Sequence, residues 1–485
     1  MAYLRAVTAR RRRALLLLAL AAGCAAEAPP PSVLLVSIDT LRPDYLGRHG
    51  YDRDSSPFLD ALLASGFHFP RAQSPIARTT PALASLLTGA YPHRTGVRTL
   101  MGVLADGAVP LAERLRAEGY QTLAVVSNTV LTRERRLGRG FDVYDPATNL
   151  RGAARTAERA IDTLAALDPG RPFFAWVHFV DPHVPYHPRR DLAEAFDPDY
   201  AGRYRFSFGY QPRDGEPRRL YRAWPDDLPK RVATLQNPLP ERVNAHVRRL
   251  YAAEVRETDD ALRELVAAFR AAAGGRLILI VTADHGESLG EHDFYYDHGE
   301  HVYDAETRVP LGIALPAGHP LRGPRRCEDW VSLVDVAPTL LELLGLAPGT
   351  MAPQLEGRSL VPCMRGEPQP PRPVFAEAGE AWYPELSRRR LRNDVAGRPR
   401  AVTWEGWKLV WTPFQGPDLA WELYDLEADP GETQNLYRPD HPRLAELRAA
   451  LEAWMARAPR DEAEPPAPSA AEREALRELG YLEDE

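Results

Sequence analysis

Along the chain, hydrophobic positions fall into two patterns: short continuous apolar runs that stop abruptly at polar residues, and longer stretches with apolar positions at helical spacing. Val33–Ile38, Phe173–Phe179 and Leu277–Thr282 are runs of the first kind, and Thr122–Ser127 is another. A continuous β-branched or aromatic run predicts a strand buried on both faces, as in a parallel sheet. Helical spacing through Val243, Val247, Leu250, Ala253, Val255, Leu262 and Leu265 predicts a long helix over 241–272, and it recurs from Val334 to Leu346. Ser56-Pro57 opens a helix through Leu63, and Thr79-Thr80-Pro81 opens a short apolar one ending at Gly89.

Buried strands alternating with helices predict an α/β domain with parallel strands over residues 33–367. Residues 189–245, rich in Arg, Pro and Tyr and weakly periodic, read as an insertion or lid that selects substrate. A Pro-rich linker at 368–373 leads to a small α+β unit over 374–460, with strands at Ala401–Trp404, Lys408–Trp411 and Glu422–Leu426 and a helix over Pro442–Met455. The tail, 461–485, is expected to be a loosely attached helix.

Composition narrows the partners. Residues 1–23 hold five arginines and no acid, so the overall charge of −7 becomes −12 for the remainder, which argues against nucleic acid. Arg5 and Arg10–Arg13, the apolar Ala14–Ala22 and Ala21-Ala22-Gly23-Cys24 form a signal segment whose core is too short for an ordinary transmembrane helix. Its Gly-Cys exit resembles a bacterial lipoprotein signal, in which Cys24 is lipidated and 24–32 forms a Pro-stiffened tether. Simple secretion is the alternative. The expected location is the bacterial cell envelope, periplasmic or on the outer surface, with the membrane met only through that anchor. Cys327 and Cys363 then form an even pair, either disulfide-bonded or two buried thiols.

The apolar runs end in residues that carry chemistry. Val33–Ile38 delivers Asp39-Thr40-Leu41-Arg42, Leu277–Thr282 delivers Asp284-His285-Gly286-Glu287, and Phe173–Phe179 delivers Asp181-Pro182-His183. Ligands bind at the carboxyl ends of strands in such sheets. Two carboxylates and an imidazole suit one hard or borderline divalent cation, Ca, Mg, Mn or Zn. The Thr79 hydroxyl, just ahead of Pro81, meets an electropositive helix start that favours an oxyanion, although an ordinary Thr N-cap fits the same residues. A cation beside it would make Thr79 a nucleophile. His183 and His298 are then candidates to stabilise oxyanion charge and protonate a leaving group.

The motif set resembles the sulfatase-like branch of the alkaline phosphatase superfamily. It comprises Ser37-Ile38-Asp39-Thr40-Leu41-Arg42 with Asp44-Tyr45-Leu46-Gly47, Leu86-Leu87-Thr88-Gly89 with Tyr91-Pro92, Gly140-Phe141-Asp142, and His178 with Asp181-Pro182-His183. It continues through Asp284-His285-Gly286-Glu287, Val309-Pro310-Leu311, Asp335–Leu340, Gly357-Arg358-Ser359-Leu360 and Leu423–Leu426 with Asp429–Thr433. The resemblance implies an alkaline-phosphatase-like α/β domain with a doubly wound, mostly parallel sheet, a small C-terminal α+β domain and metal-dependent ester hydrolysis through a covalent enzyme intermediate. It also implies Asp39, Thr40, Thr79, Asp284 and His285 as metal ligands, Thr79, His183 and His298 as catalytic residues, and Arg42, His178, Thr80 and Asn128 as substrate contacts. One metal is favoured over two; Asp181 or His183 with His298 would hold a second.

The departures from the family are equally informative. Sulfatases carry Cys or Ser in Cys/Ser-x-Pro-x-Arg and oxidise it to formylglycine; this chain has Thr79, which cannot give that aldehyde, and Leu83 in place of the arginine. Lys230 and Lys408, the two lysines of the chain, lie near none of the matching motifs. His298 stands 14 residues after Asp284, where a pocket lysine is expected, and Thr40 replaces a second aspartate. Arg42 is expected to compensate in part for Leu83. Superfamily members with an unmodified Thr nucleophile act mostly on phosphodiesters, phosphonates or phosphoglycerol groups. The expected substrate is therefore an anionic phosphoric or sulfuric ester, phosphodiester or phosphonate favoured. The alternatives are a sulfatase using unmodified Thr, and a non-catalytic surface binding protein on this scaffold.

Overall fold

The computed structural model describes residues 29–200, 206, 208–210, 219–221, 232–233, 240–321, 323–380, 394–416, 419–457 and 469–479. The expected signal segment, Cys24, Lys230 and parts of the 189–245 insertion and the tail lie outside the described residues. Among the described residues, no helix is long and apolar enough to cross a membrane.

The apolar runs become the centre of one sheet. Its strands are β1 (Ser32–Ile38), β2 (Gln121–Val126), β3 (Val143–Pro146), β4 (Phe173–Phe179), β5 (Leu277–Ala283) and β6 (Leu311–Ala314), in the order β6-β5-β1-β4-β2-β3. Two short pieces, Phe67–His68 and Arg325–Arg326, extend it beyond β6. All pairings from β5 to β3 are parallel, and β6 runs antiparallel at the side of β5. β1, β4 and β5 are buried along their whole length, because helices cover both faces and leave no face for polar side chains. The covering helices include α1 (Pro57–Ser65), α2 (Thr79–Thr88), α3 (Ala153–Leu164), α4 (Glu241–Ala272) and α5 (Val336–Leu343).

α4 starts at Glu241, so the insertion ends before the expected residue 245. Within it lie a helix at Arg190–Phe196 and a three-stranded antiparallel sheet of Phe208–Tyr210, Arg219–Tyr221 and Val232–Ala233. The C-terminal unit is an antiparallel sheet, β7 (Val374–Glu377), β8 (Arg400–Trp404), β9 (Trp407–Trp411) and β10 (Trp421–Asp425) in that spatial order. α6 (Leu444–Met455) packs Leu447, Leu451 and Trp454 onto Val402, Leu409 and Leu423. The tail helix Ala470–Glu478 is not loosely attached: Leu476 is buried in the large-domain core, as is Leu479 just beyond it, and that apolar burial docks the segment. Cys327 and Cys363 are disulfide-bonded, with Cα atoms 6.2 Å apart.

Gly140-Phe141-Asp142 is a structural joint. The Thr122 hydroxyl donates to the Gly140 carbonyl, and Asp142 accepts from the Thr122 backbone N–H. Gly140 has φ +85°, and a Cβ there would lie 2.1 Å from the Glu113 nitrogen. Gly140→Ala therefore combines left-handed strain with overpacking and is expected to cost about 2–4 kcal/mol. Denaturant unfolding followed by circular dichroism against wild type would measure it.

Candidate active site

Strand register places the two acids. Ile38 of β1 lies opposite Ala283 of β5, so the residues that follow, Asp39 and Asp284, leave the sheet abreast. Both are fully buried. On the other side of β1, Ser37 pairs in register with His178 of β4. The Ser37 Oγ is 2.9 Å from His178 Nδ1 and accepts from Trp176 Nε1 at 2.9 Å. This fixes the His178 ring with Nε2 at 3.5 Å from Asp39 Oδ2. Asn128 donates to the same Asp39 oxygen at 2.7 Å.

Thr40 turns the chain out of β1 with φ +53°, a conformation a β-branched residue adopts only when its surroundings enforce it. The Thr40 N–H reaches Asp284 Oδ1 at 3.3 Å. Tyr251 of α4 donates to the Thr40 carbonyl at 2.7 Å and accepts from the Arg42 N–H at 2.9 Å.

Thr79 is the first residue of α2; the N-cap position belongs to Arg78, and no side-chain cap bond is made there. The ordinary N-cap reading of Thr79 is thus not the one the structure adopts. Thr79 Oγ1 lies 3.4 Å from His285 Nε2. His285 Nδ1 faces the Gly286 carbonyl at 2.8 Å. A carbonyl only accepts, so Nδ1 carries the proton and Nε2 presents its lone pair. That nitrogen is 3.7 Å from Asp39 Oδ1 and 3.6 Å from Asp284 Oδ2.

The electrostatics match a cation site. Burial opposes ionisation of Asp39, but the His178 imidazole, 3.5 Å away, and those of His183 and His285 outweigh it and hold its carboxyl at about 2. Burial, then the Asp39 charge, push Asp284 well above the usual carboxylate range. Burial pulls His285 down to about 4, keeping the ring neutral. Asp39 Oδ1, Thr40 Oγ1, His178 Nε2 and Asp284 Oδ2 are buried with no hydrogen-bond partner among the described residues. One ligand atom from each of Asp39, His178 and Asp284 lies within 4.8 Å of the others. Two carboxylates and imidazole nitrogen are donors that a divalent ion satisfies and that water-free burial otherwise penalises.

His298 completes the cluster. Its ring lies 4.2 Å from that of His285 and 5.1 Å, edge-on, from that of His183 (centroid distances). His183 Nδ1 donates to the Val184 carbonyl. The expected catalytic set of Thr79, His183 and His298 is therefore brought together around Asp39, Asp284 and His285.

The expected substrate contacts fare differently. Arg42 points away: its guanidinium holds Asp44 at 2.7 Å, Glu291 at 2.9 Å and the Glu287 carbonyl at 2.9 Å. Two carboxylates capture it, so it does not stand in for the arginine lost at Leu83. Thr80 donates to the Leu100 carbonyl at 2.6 Å, so its hydroxyl ties the helix start to a neighbouring loop instead of meeting substrate. Asn128 and His178 both serve Asp39.

Sequence reasoning assigned no role to Arg78, Ser37 or Glu287. The buried Arg78 guanidinium packs so closely on Gly299, φ +95°, that a Cβ there would lie 2.2 Å from Arg78 Nε. It donates to the Glu380 carbonyl at 2.7 Å and adds positive field at His285. Its position next to Thr79 was the available signal. Ser37 and Glu287 belong to the Ser37–Arg42 and Asp284–Glu287 motifs, but their partners come from other strands and loops.

Comparison with known proteins finds relatives over most of the chain. The family model described as Sulfatase matches residues 31–346, and that described as N-sulphoglucosamine sulphohydrolase, C-terminal, matches 290–461. An arylsulfatase of Clostridium perfringens is 20% identical, over 87% of this chain and 93% of its own. A multifunctional alkaline phosphatase superfamily protein of Trinickia caryophylli is 26% identical, over 84% of this chain and 91% of its own. The phosphonate monoester hydrolase of Agrobacterium radiobacter shares the fold with a TM-score of 0.67 at 22% identity, covering 88% of this chain and 95% of that structure.

Asp284→Ala removes one carboxylate of the proposed ligand set and is expected to weaken divalent-ion binding by more than about 100-fold, beyond what loss of an outer-shell partner does. Titration calorimetry with Mn and Zn, on wild type and variant side by side, would measure the change.

Proposed function

The chain belongs to the sulfatase family of ester hydrolases, and from that premise we propose that it cleaves phosphoric esters, phosphodiesters or phosphonate monoesters in particular, with Thr79 as nucleophile. The observation that carries this reading is the Thr79 hydroxyl at 3.4 Å from a neutral His285 Nε2, beside buried carboxylate oxygens that lack partners. Asp39, Asp284, His178 and His285 would hold a divalent ion. When bound, such an ion supplies positive charge for an ester oxyanion and lowers the pKa of a neighbouring hydroxyl.

The protein's own groups then divide the work. Thr79 Oγ, its hydroxyl proton released to solvent, forms a bond to phosphorus as the ester P–O bond breaks and its electron pair leaves with the alcohol oxygen. His298 or His183 gives its proton to the departing alcohol oxygen. Water attacks the Thr79 ester in the second half-reaction and restores the hydroxyl. The preference for phosphorus rests on Thr79 itself, which cannot become formylglycine, and is in keeping with relatives named for phosphonate monoesters and for multiple activities. Relatives named arylsulfatase and choline-sulfatase keep sulfate esters as the second reading.

Parallel turnover of aryl phosphodiester, aryl phosphonate monoester and aryl sulfate on one metal-loaded preparation separates the two. The phosphorus esters are expected to be favoured, and Thr79→Ala to lower kcat by at least about 1,000-fold, leaving metal binding and folding intact. A dominant sulfatase activity would reverse the preference, and undiminished turnover in Thr79→Ala would remove Thr79 from the chemistry.

A further inference from the structure

The His298 loop and the His183 loop meet on one carboxylate. Glu287 is fully buried, two residues beyond His285, where the chain leaves the site. Its Oε1 is 3.0 Å from His298 Nδ1. Its Oε2 accepts from the Tyr186 hydroxyl at 2.8 Å, and the Val184 N–H also donates to it. Val184 and Tyr186 flank Pro185 just after His183. Tyr186 is in turn buried against Phe206, Tyr251 and Tyr296. The Glu287 carboxyl group is thus held by two residues of the His183 loop, Val184 and Tyr186.

We propose that Glu287 is a positioning residue that accepts a hydrogen bond from His298 Nδ1–H and fixes the ring orientation, so that the doubly protonated ring presents Nε2–H as the proton given to the leaving group and is left as the Nδ1–H tautomer afterwards. The chemistry is that of a carboxylate orienting an imidazole: one ring nitrogen is committed, and the other is presented in a defined state. The Glu287–His298 contact is independent of which ester is cleaved, but the role at the leaving group rests on the hydrolytic reading above. Since His298 occupies the position where a lysine is expected in this family, the arrangement gives the imidazole a support that an ammonium group would not require.

Glu287→Gln keeps the shape and replaces one of the two carboxyl oxygens with an amide nitrogen that donates, and Glu287→Asp keeps the carboxyl group at shorter reach. Two readouts on the full-length, metal-loaded protein test the assignment. Long-range 1H–15N spectra of histidine-labelled protein, with His298 assigned through His298→Asn, report the tautomer without any turnover. The expected result is an Nδ1-protonated His298 in wild type and a changed tautomer population in Glu287→Gln. An Nε2-protonated neutral ring in wild type would overturn the proposal even in an inactive preparation. The second readout is kcat across esters of graded leaving-group acidity. Glu287→Gln is expected to lower kcat by about 10–100-fold for poorly acidic alcohols and far less for nitrophenol, at unchanged KM and metal content, with partial recovery in Glu287→Asp. An equal loss for every leaving group, or none, would refute the leaving-group role. If wild type cleaves no ester at all, the hydrolytic reading fails while the tautomer still decides the positioning role.

Discussion

Two carboxylates forced side by side in a dry place set the terms for everything around them. Parallel pairing of β1 with β5 brings Asp39 and Asp284 out at the same level, and burial denies both of them water. Two like charges so placed cannot both persist without a counter-charge, which is why one acid is held near 2 and the other is driven upward. The neighbours answer that problem. Asn128 and the Thr40 N–H donate to the two carboxylates, His178 and His285 bring imidazoles, and the buried Asp39, His178 and Asp284 together form a group that could hold a divalent ion.

Rigidity around the pair is built from elements remote in sequence. Tyr251, from the middle of the longest helix, bonds on both sides of the left-handed Thr40 turn, so the loop after β1 is held from behind. Arg42 is clamped by Asp44 and Glu291 and braces the Glu287 carbonyl. Thr79 gains its place because Arg78 takes the cap position and packs its guanidinium against Gly299. Side chains locked in this way lose little further freedom when a substrate arrives, which is the physical content of preorganisation.

The small domain takes part in this arrangement. Gly379, just past β7, donates its N–H to the Gly299 carbonyl at 2.7 Å, directly beside His298. Lys408 of β9 is fully buried and bridges Asp304 at 3.0 Å and Glu432 at 2.9 Å, tying the small sheet to the segment that follows the His298 loop. Buried ion pairs of this kind specify docking geometry more than they add stability. A cavity of 440 Å³ opens along the same seam, lined by Arg42, Glu291, His292, Arg308 and Glu432 among others, and its lining includes none of Asp39, Thr79, Asp284 or His285.

The sequence alone was sufficient for the central strands and for the acids at their ends, because short β-branched or aromatic apolar runs bounded by polar residues favour buried strands, and a polar residue that stops one lies at the sheet's rim. It was sufficient, too, for Thr79 at a helix start and for a small C-terminal sheet with its own helix. It did not reveal where long side chains point. Arg42 and Thr80 carried suitable chemistry for substrate, yet packing commits one to Asp44 and Glu291 and the other to Leu100. Nor did it show that His178 and Asn128 attend Asp39, that Leu476 docks the tail, or that Glu287 joins two histidine loops. Those outcomes depend on contacts between segments dozens to hundreds of residues apart, which local pattern does not encode. Only the register of β1 with β5 and β4, and the helices packed over them, decided which of the candidate groups share one buried point.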